Sequence, residues 1–150
     1  AEILSFESSL RLRKGKRASG SREELLRQAV ARTAIGDVLG KKCACLSKGY
    51  AQRVSLAAAL CADPALLILD EFSGGLDPAQ IIGIRMLLRQ QARRKPVIVS
   101  THSIAEALAL EGSLAIMKAG KIVARGTAGE IVQKTGAANL EEAFLRLTSS

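Results

Sequence analysis

Aromatic residues make up only 3% of this 150-residue chain, and none of them is Trp. The stacking platforms on which single-stranded nucleic acid readers rely are therefore missing. Cysteine and histidine are as scarce. Cys43, Cys45 and Cys61 are odd in number, and with a single histidine, His102, their spacing builds no zinc site. They read as reduced cytosolic thiols rather than a disulfide framework. No run reaches the ~18 uncharged apolar residues that a bilayer-spanning helix needs. Asp63 and Pro64 interrupt the longest candidate, 54–69. Nor does a basic start followed by an apolar stretch and a small-residue cleavage site mark the chain for secretion. What remains is ordinary for a folded domain: 48% hydrophobic and 24% charged residues exclude a disordered or collagen-like chain. A chain of this length buries roughly 68–70% of its unfolded surface, so a core is expected.

Acidic residues are the minority. Lys and Arg number 22 against 14 Asp and Glu, for a net charge of +8. Part of the excess is crowded into Arg11, Arg13, Lys14, Lys16, Arg17 and Arg22. A polyanion is one reading of that run; a solvated basic loop is the favoured one, and no nucleic acid partner is expected.

Periodicity divides the chain. The pattern is helical over 3–12 and 23–38, with the glycine- and serine-containing stretch 14–21 between them as a loop. A polar turn at Leu46 precedes an alanine-rich helical run over about 51–62, the breaker Asp63-Pro64, and the apolar strand 66–69, which reads as a buried parallel strand. Asp77 followed by Pro78 places a cap and a first-turn proline at the head of a helix running to about Arg94. Pro96 then leads into a second apolar strand, 97–100, and strand, helix, strand implies a parallel crossover. A helix over 104–110, a hairpin of 113–117 with 121–124 around Ala119-Gly120, and two capped helices finish the chain. Thr127 with Glu130 forms a capping box, and Asn139 with Glu142 offers a second cap.

The strongest chemical signal is the pair Asp70-Glu71 at the carboxyl end of the first apolar strand, where open α/β sheets bind ligands. A carboxylate there can hold Mg²⁺ through water, and its neighbour can take a proton from an attacking water, the two tasks of nucleotide hydrolysis. Upstream, Ser47 and Gly49 stand at a helix N-terminus, where unpaired N–H groups and the dipole favour a phosphate. Without a ligand, the same serine is a plain helix cap. Downstream lie Ser73-Gly74-Gly75-Leu76-Asp77 and then Thr101-His102 at the end of the second strand.

In this order the set resembles the ATP-binding-cassette (ABC) ATPases. Leu46-Ser47-Lys48-Gly49-Tyr50 with Gln52 and Arg53 is similar to the family's signature motif, 66–71 to its Walker B motif, 73–77 to its D-loop, and His102 to its switch histidine. The resemblance implies a P-loop NTPase-like α/β fold, here partial: a helical subdomain over 1–50 followed by the C-terminal part of the parallel-sheet ATPase core over 51–150. It implies ATP and Mg²⁺ as cofactors. Ser47, Lys48, Gly49, Tyr50 and Asp77 would bind nucleotide, Asp77 by contacting a second cassette, Asp70 would hold the metal, Glu71 would act as general base, and His102 would sense the γ-phosphate. The implied partners are that second cassette and a transmembrane permease subunit, at the cytoplasmic face of the membrane. The closing segment 139–147 is similar to tails of ATPase subunits serving exporters, so the resemblance implies the ATP-binding and hydrolysing subunit of an ABC exporter, which couples ATP-driven pairing of cassettes to transport.

The chain departs from the family pattern at three places. Lys48, Gly49 and Tyr50 stand where Gly-Gly-Gln is usual, and Phe72 replaces the usual proline. No G-x-x-x-x-G-K-[ST] phosphate loop occurs: the nearest candidate, 36–42, is one residue short, lacks the hydroxyl that would bind Mg²⁺ and follows a helix instead of a strand. The resemblance therefore implies the C-terminal portion of a cassette, starting just after the phosphate loop, the adenine-stacking aromatic and the glutamine loop. Such a chain alone is expected to bind MgATP weakly and to be inactive. The alternatives are a soluble ABC ATPase of DNA repair or translation, binding nucleic acid or the ribosome, and an inactive cassette fragment.

Overall fold

Two glutamates in the first turn, Glu23 and Glu24, complement the positive end of helix α1 (Arg22–Thr33). The computed structural model describes residues 22–149; the helix expected over 3–12 and the loop over 14–21 lie outside the described residues. The helix expected over 23–38 stops at Thr33. Ala34 adopts a left-handed conformation (φ 51°), and the next N–H, of Ile35, donates back to the Val30 carbonyl at 3.4 Å. This is the Schellman closure of a helix end, in which the residue after the left-handed turn is hydrophobic and buried. Ile35 is fully buried, and that burial outweighs the helical pattern beyond it. A short 3-10 turn, Gly36–Val38, takes over there, and a second one spans Cys43–Cys45.

Helix α2 (Lys48–Leu60) packs on α1 and buries Leu56, Ala57 and Leu60. Strand β1 (Leu67–Asp70) pairs in parallel with β2 (Val97–Ser100), Leu67 opposite Val97 and Asp70 opposite Ser100. Helix α3 (Pro78–Ala92) makes the crossover, touches α1 and β2, and buries Ile84, Leu87, Leu88 and Gln91. Lys95 ties the entrances to the two strands together. Its Nζ donates to the Asp63 carbonyl at 2.8 Å and pairs with the Asp63 carboxylate at 2.5 Å. The burial expected for both faces of these strands is not found. Leu67 is 4% exposed, but Ile68 and Ile98 are 66% and 53% exposed. Among the described residues the parallel pair has two strands and a cover on one face, so alternate side chains stay open to solvent.

The chain divides into two compact units between Ser100 and Thr101. The second unit opens with α4 (Ile104–Leu110), followed by a hairpin of β3 (Leu114–Lys118) and β4 (Lys121–Gly126). Ala119 and Gly120 both have positive φ, 48° and 76°, the geometry a two-residue hairpin turn requires. Capping boxes or side-chain caps start α5 (Ala128–Thr135) at Thr127 and α6 (Leu140–Thr148) at Asn139. Ile116, Ile131, Leu140 and Ala143 form the core of this unit. Among the described residues no helix is long and apolar enough to cross a membrane, and no cluster of His, Cys, Asp and Glu could hold a metal by itself. The cysteines are free thiols, Cys43 and Cys45 exposed and Cys61 buried.

Candidate functional site

Asp70 closes β1 with its carboxylate exposed, and the register that sets it opposite Ser100 brings the Ser100 hydroxyl onto Asp70 Oδ1. Ser100 also anchors the next residue. The Glu71 N–H donates to the Ser100 carbonyl at 3.1 Å and to its hydroxyl at 3.3 Å. Glu71 is exposed and left-handed (φ 43°), a conformation that costs a non-glycine residue roughly 1–2 kcal/mol. The chain turns sharply there and drives Phe72 inward, where it is the largest fully buried side chain of the described residues. Phe72 thus acts as the anchor that holds the two preceding carboxylates at the surface. Beside the strand, Asp70 shares a cavity of about 170 Å³ with Gln52 and Ser55 of α2.

Ser47 caps α2, its hydroxyl accepting the Tyr50 N–H at 3.4 Å. Tyr50 reaches outward from the same turn and donates its hydroxyl to the Asp37 carboxylate at 2.6 Å. That bond, and the negative charge behind it, raise the Tyr50 pKa above its ordinary value of 10.0. Asp37 lies in the Gly36–Val38 turn, so the segment that the sequence offers as a decoy phosphate loop braces the start of α2 instead. Gly49 is buried. A Cβ built on it would stand 2.5–2.8 Å from the Cδ, Oε1 and Nε2 atoms of Gln80. The close approach that this glycine permits is therefore that of a side chain from α3.

Asp77 caps α3 through a reciprocal box. Its Oδ1 accepts the Gln80 N–H at 2.9 Å, and Gln80 Oε1 accepts the Asp77 N–H at 3.3 Å. Just upstream, Gly75 is left-handed (φ 71°), and a Cβ there would collide with the Lys48 ammonium. Lys48 and Gly49 thus both lie against the 75–80 segment. His102 belongs to the second unit. It is exposed and set between two tied residues: the Thr101 hydroxyl donates to Glu106 Oε2 at 2.7 Å and accepts the Ser103 N–H at 3.0 Å.

The first unit thus brings Ser47, Lys48, Gly49, Tyr50 and Asp77 into one contact network, with Asp70 and Glu71 at the end of its strand. The motifs point to none of Ser100, Asp37 and Gln80. A signal exists for Ser100 alone, since the two apolar strands align Asp70 with Ser100 once paired in parallel.

The ABC transporter family model matches residues 3–74. Among curated relatives, the molybdenum import ATP-binding protein ModC of Paramagnetospirillum magneticum is 35% identical over 125 residues, which is 82% of this chain and 34% of that protein. The phosphate import ATP-binding protein PstB of Thermotoga maritima is 31% identical over 112 residues, 75% of this chain and 45% of its own length. The chain therefore spans less than half the length of these relatives. Among solved structures, the ATP-binding subunit of an ABC transporter superposes with a TM-score of 0.76 at 28% identity, covering 96% of this chain and 61% of that one. A bacterial ABC transporter cassette solved as a dimer gives 0.66 at 25% identity, over 83% of this chain and 56% of the other. The α/β fold expected from the motifs is the fold of these cassettes, and the chain belongs to the ABC transporter ATP-binding family.

Proposed function

We propose that this chain carries the signature, Walker B, D-loop and switch-histidine segments of the ATP-hydrolysing subunit of an ABC transporter, with residues 1–50 as part of a helical subdomain and 51–150 as the C-terminal part of the ATPase core. The observation that carries the reading is the arrangement of the first unit: a strand ending in two exposed carboxylates, beside two capped helix N-termini in mutual contact. Asp70 and the Ser100 hydroxyl on it are hard oxygen donors, which suits Mg²⁺, an ion held by one or two carboxylates together with waters and phosphates. Bound MgATP supplies the phosphoanhydride and a cation that neutralises its charge. Glu71, turned outward by its left-handed backbone, takes the proton from the attacking water. Ser47 and the first amides of α2 receive the γ-phosphate of ATP held by the phosphate loop of a second cassette, and Asp77 faces that partner. His102 senses the γ-phosphate. Closure of the two cassettes drives a transmembrane permease from the cytoplasmic face of the membrane.

The relatives named above are import ATP-binding proteins, whereas the export reading rests only on the tail 139–147. We therefore read the direction of transport as uptake. The test is to combine the chain with a separately made fragment carrying a glycine-rich phosphate loop, and to measure ATP turnover. Glu71→Gln should leave ATP binding intact and cut hydrolysis by about 10²–10⁴-fold, the loss typical of removing a general base. Turnover at the parental rate would refute the role given to Glu71. Micromolar MgATP binding to residues 1–150 alone, measured by calorimetry, would refute the division of the site, because triphosphate affinity comes mainly from the amides and lysine of the missing loop.

A further inference from the structure

The carboxamide of Gln80 lies over Gly49 in an unusual way. Its Cδ, Oε1 and Nε2 atoms would stand 2.5, 2.7 and 2.8 Å from a Cβ on Gly49, so the flat face of the amide, not its tip, covers the glycine. The end of a glutamine is ordinarily free to swing aside. Here it is held, because Gln80 Oε1 accepts the Asp77 N–H at 3.3 Å and so completes the capping box of α3. A second contact runs beside the first: the Lys48 ammonium lies over Gly75, whose left-handed turn and missing side chain leave it room.

From these contacts we propose that Gln80 is a positioning residue that locks the signature turn, Ser47 to Tyr50, to the D-loop, Ser73 to Asp77, so that both phosphate-facing segments keep one geometry. The proposal rests on the functional reading above only for what the two segments face. The coupling itself follows from the packing. Gly49 is glycine because a side chain there would push the carboxamide off, release the Asp77 N–H and open the start of α3. The D-loop would then lose its cap through a change in a different helix. Neither segment could shift toward a nucleotide without carrying the other.

Amide hydrogen exchange on the 150-residue chain tests the coupling without ATP. Gly49→Ala should speed exchange at the Asp77 amide roughly fivefold, the scale of losing one side-chain cap. Gln80→Ala should do the same, and the double variant should be no faster than either alone. Gln80→Glu keeps both the shape and the acceptor and should retain protection. An unchanged Asp77 amide in Gly49→Ala, or additive effects in the double variant, would overturn the proposal. If Gly49→Ala fails to fold, Gln80→Ala decides alone: faster exchange at Gly49 and Tyr50 supports the link across the two helices, and unchanged exchange there refutes it. In the cassette completed by a phosphate loop, Gly49→Ala should lower kcat more than it alters KM, and adding Gln80→Ala in the same chain should lower kcat no further. Absence of any ATP turnover with the exchange coupling intact would remove the functional reading and leave the link standing. Normal turnover without the coupling would do the reverse.

Discussion

In the second unit, the β3–β4 hairpin lays Ile116 against Ile131, Leu140 and Ala143, while Met117 and Ile122 point to water. In the first, the parallel pair β1–β2 buries Leu67 but leaves Ile68 and Ile98 more than half exposed. Among the described residues both sheets have two strands and one open face, yet the two cases differ physically. An antiparallel hairpin is commonly solvated on one side, whereas parallel strands are found almost only where both faces are covered. The open face of the hairpin is ordinary; that of the parallel pair, among the described residues, is not. Asp70, Glu71 and the two helix N-termini all stand in the unit with the open parallel pair. The second unit, apart from His102, is a self-contained packing of hairpin and helices.

Five substitutions at four positions test that contrast, from the largest effect to the smallest. Phe72→Ala should cost about 3–5 kcal/mol in thermal or denaturant unfolding, because Phe72 is the largest fully buried side chain of the described residues and lies under the carboxylate turn. A loss below about 1 kcal/mol would show that the first unit does not depend on that anchor. Next, Ile131→Ala should cost about 2–5 kcal/mol, while Ile68→Ala should stay within about 0.5 kcal/mol. Equal losses at the two positions would mean that the parallel pair is covered in solution, and the contrast would fail. Ile68→Lys should in addition reduce self-association seen by light scattering, since a charge blunts an open apolar strand. Thr127→Ala should cost about 1 kcal/mol through loss of its cap, and the loss should appear in exchange of α5 while α1 and α2 stay unchanged.

The smallest effect is a pH dependence confined to the second unit. Glu142 accepts the Ala138 N–H at 2.7 Å and pairs with Arg146 at 2.6 Å, and these contacts, the amide first, hold its carboxyl below its ordinary value of 4.5. A depressed folded-state pKa means that the contribution is present above 4.5 and is lost as the pH falls through the lower folded value. Unfolding followed from pH 7 downward should therefore show a weak acid limb that Glu142→Gln removes. A limb of the same size in the variant would assign it to other carboxylates.

What the sequence determined by itself is everything carried by neighbours within about four positions. Asp77 with Pro78, Thr127 with Glu130 and Asn139 with Glu142 each place a helix start where the structure has one, since a cap needs only the residue three places on. The turn at Ala119-Gly120 and the strand 97–100 are legible for the same reason. The order of the motifs fixed the family. Tertiary structure decided what joins distant positions. Ser100 meets Asp70 across 30 residues, Lys95 meets Asp63 across 32, and Tyr50 meets Asp37 across 13. None of these pairs leaves a periodic trace, because each depends on strand register or helix packing. The end of α1 at Thr33 belongs to the same class: the residues after it favour more helix, and the burial of Ile35 stops it. Gly49 shows both levels at one position. The sequence marks it as a glycine at a helix start where a phosphate is expected, and only the fold shows that the space it leaves is filled by Gln80.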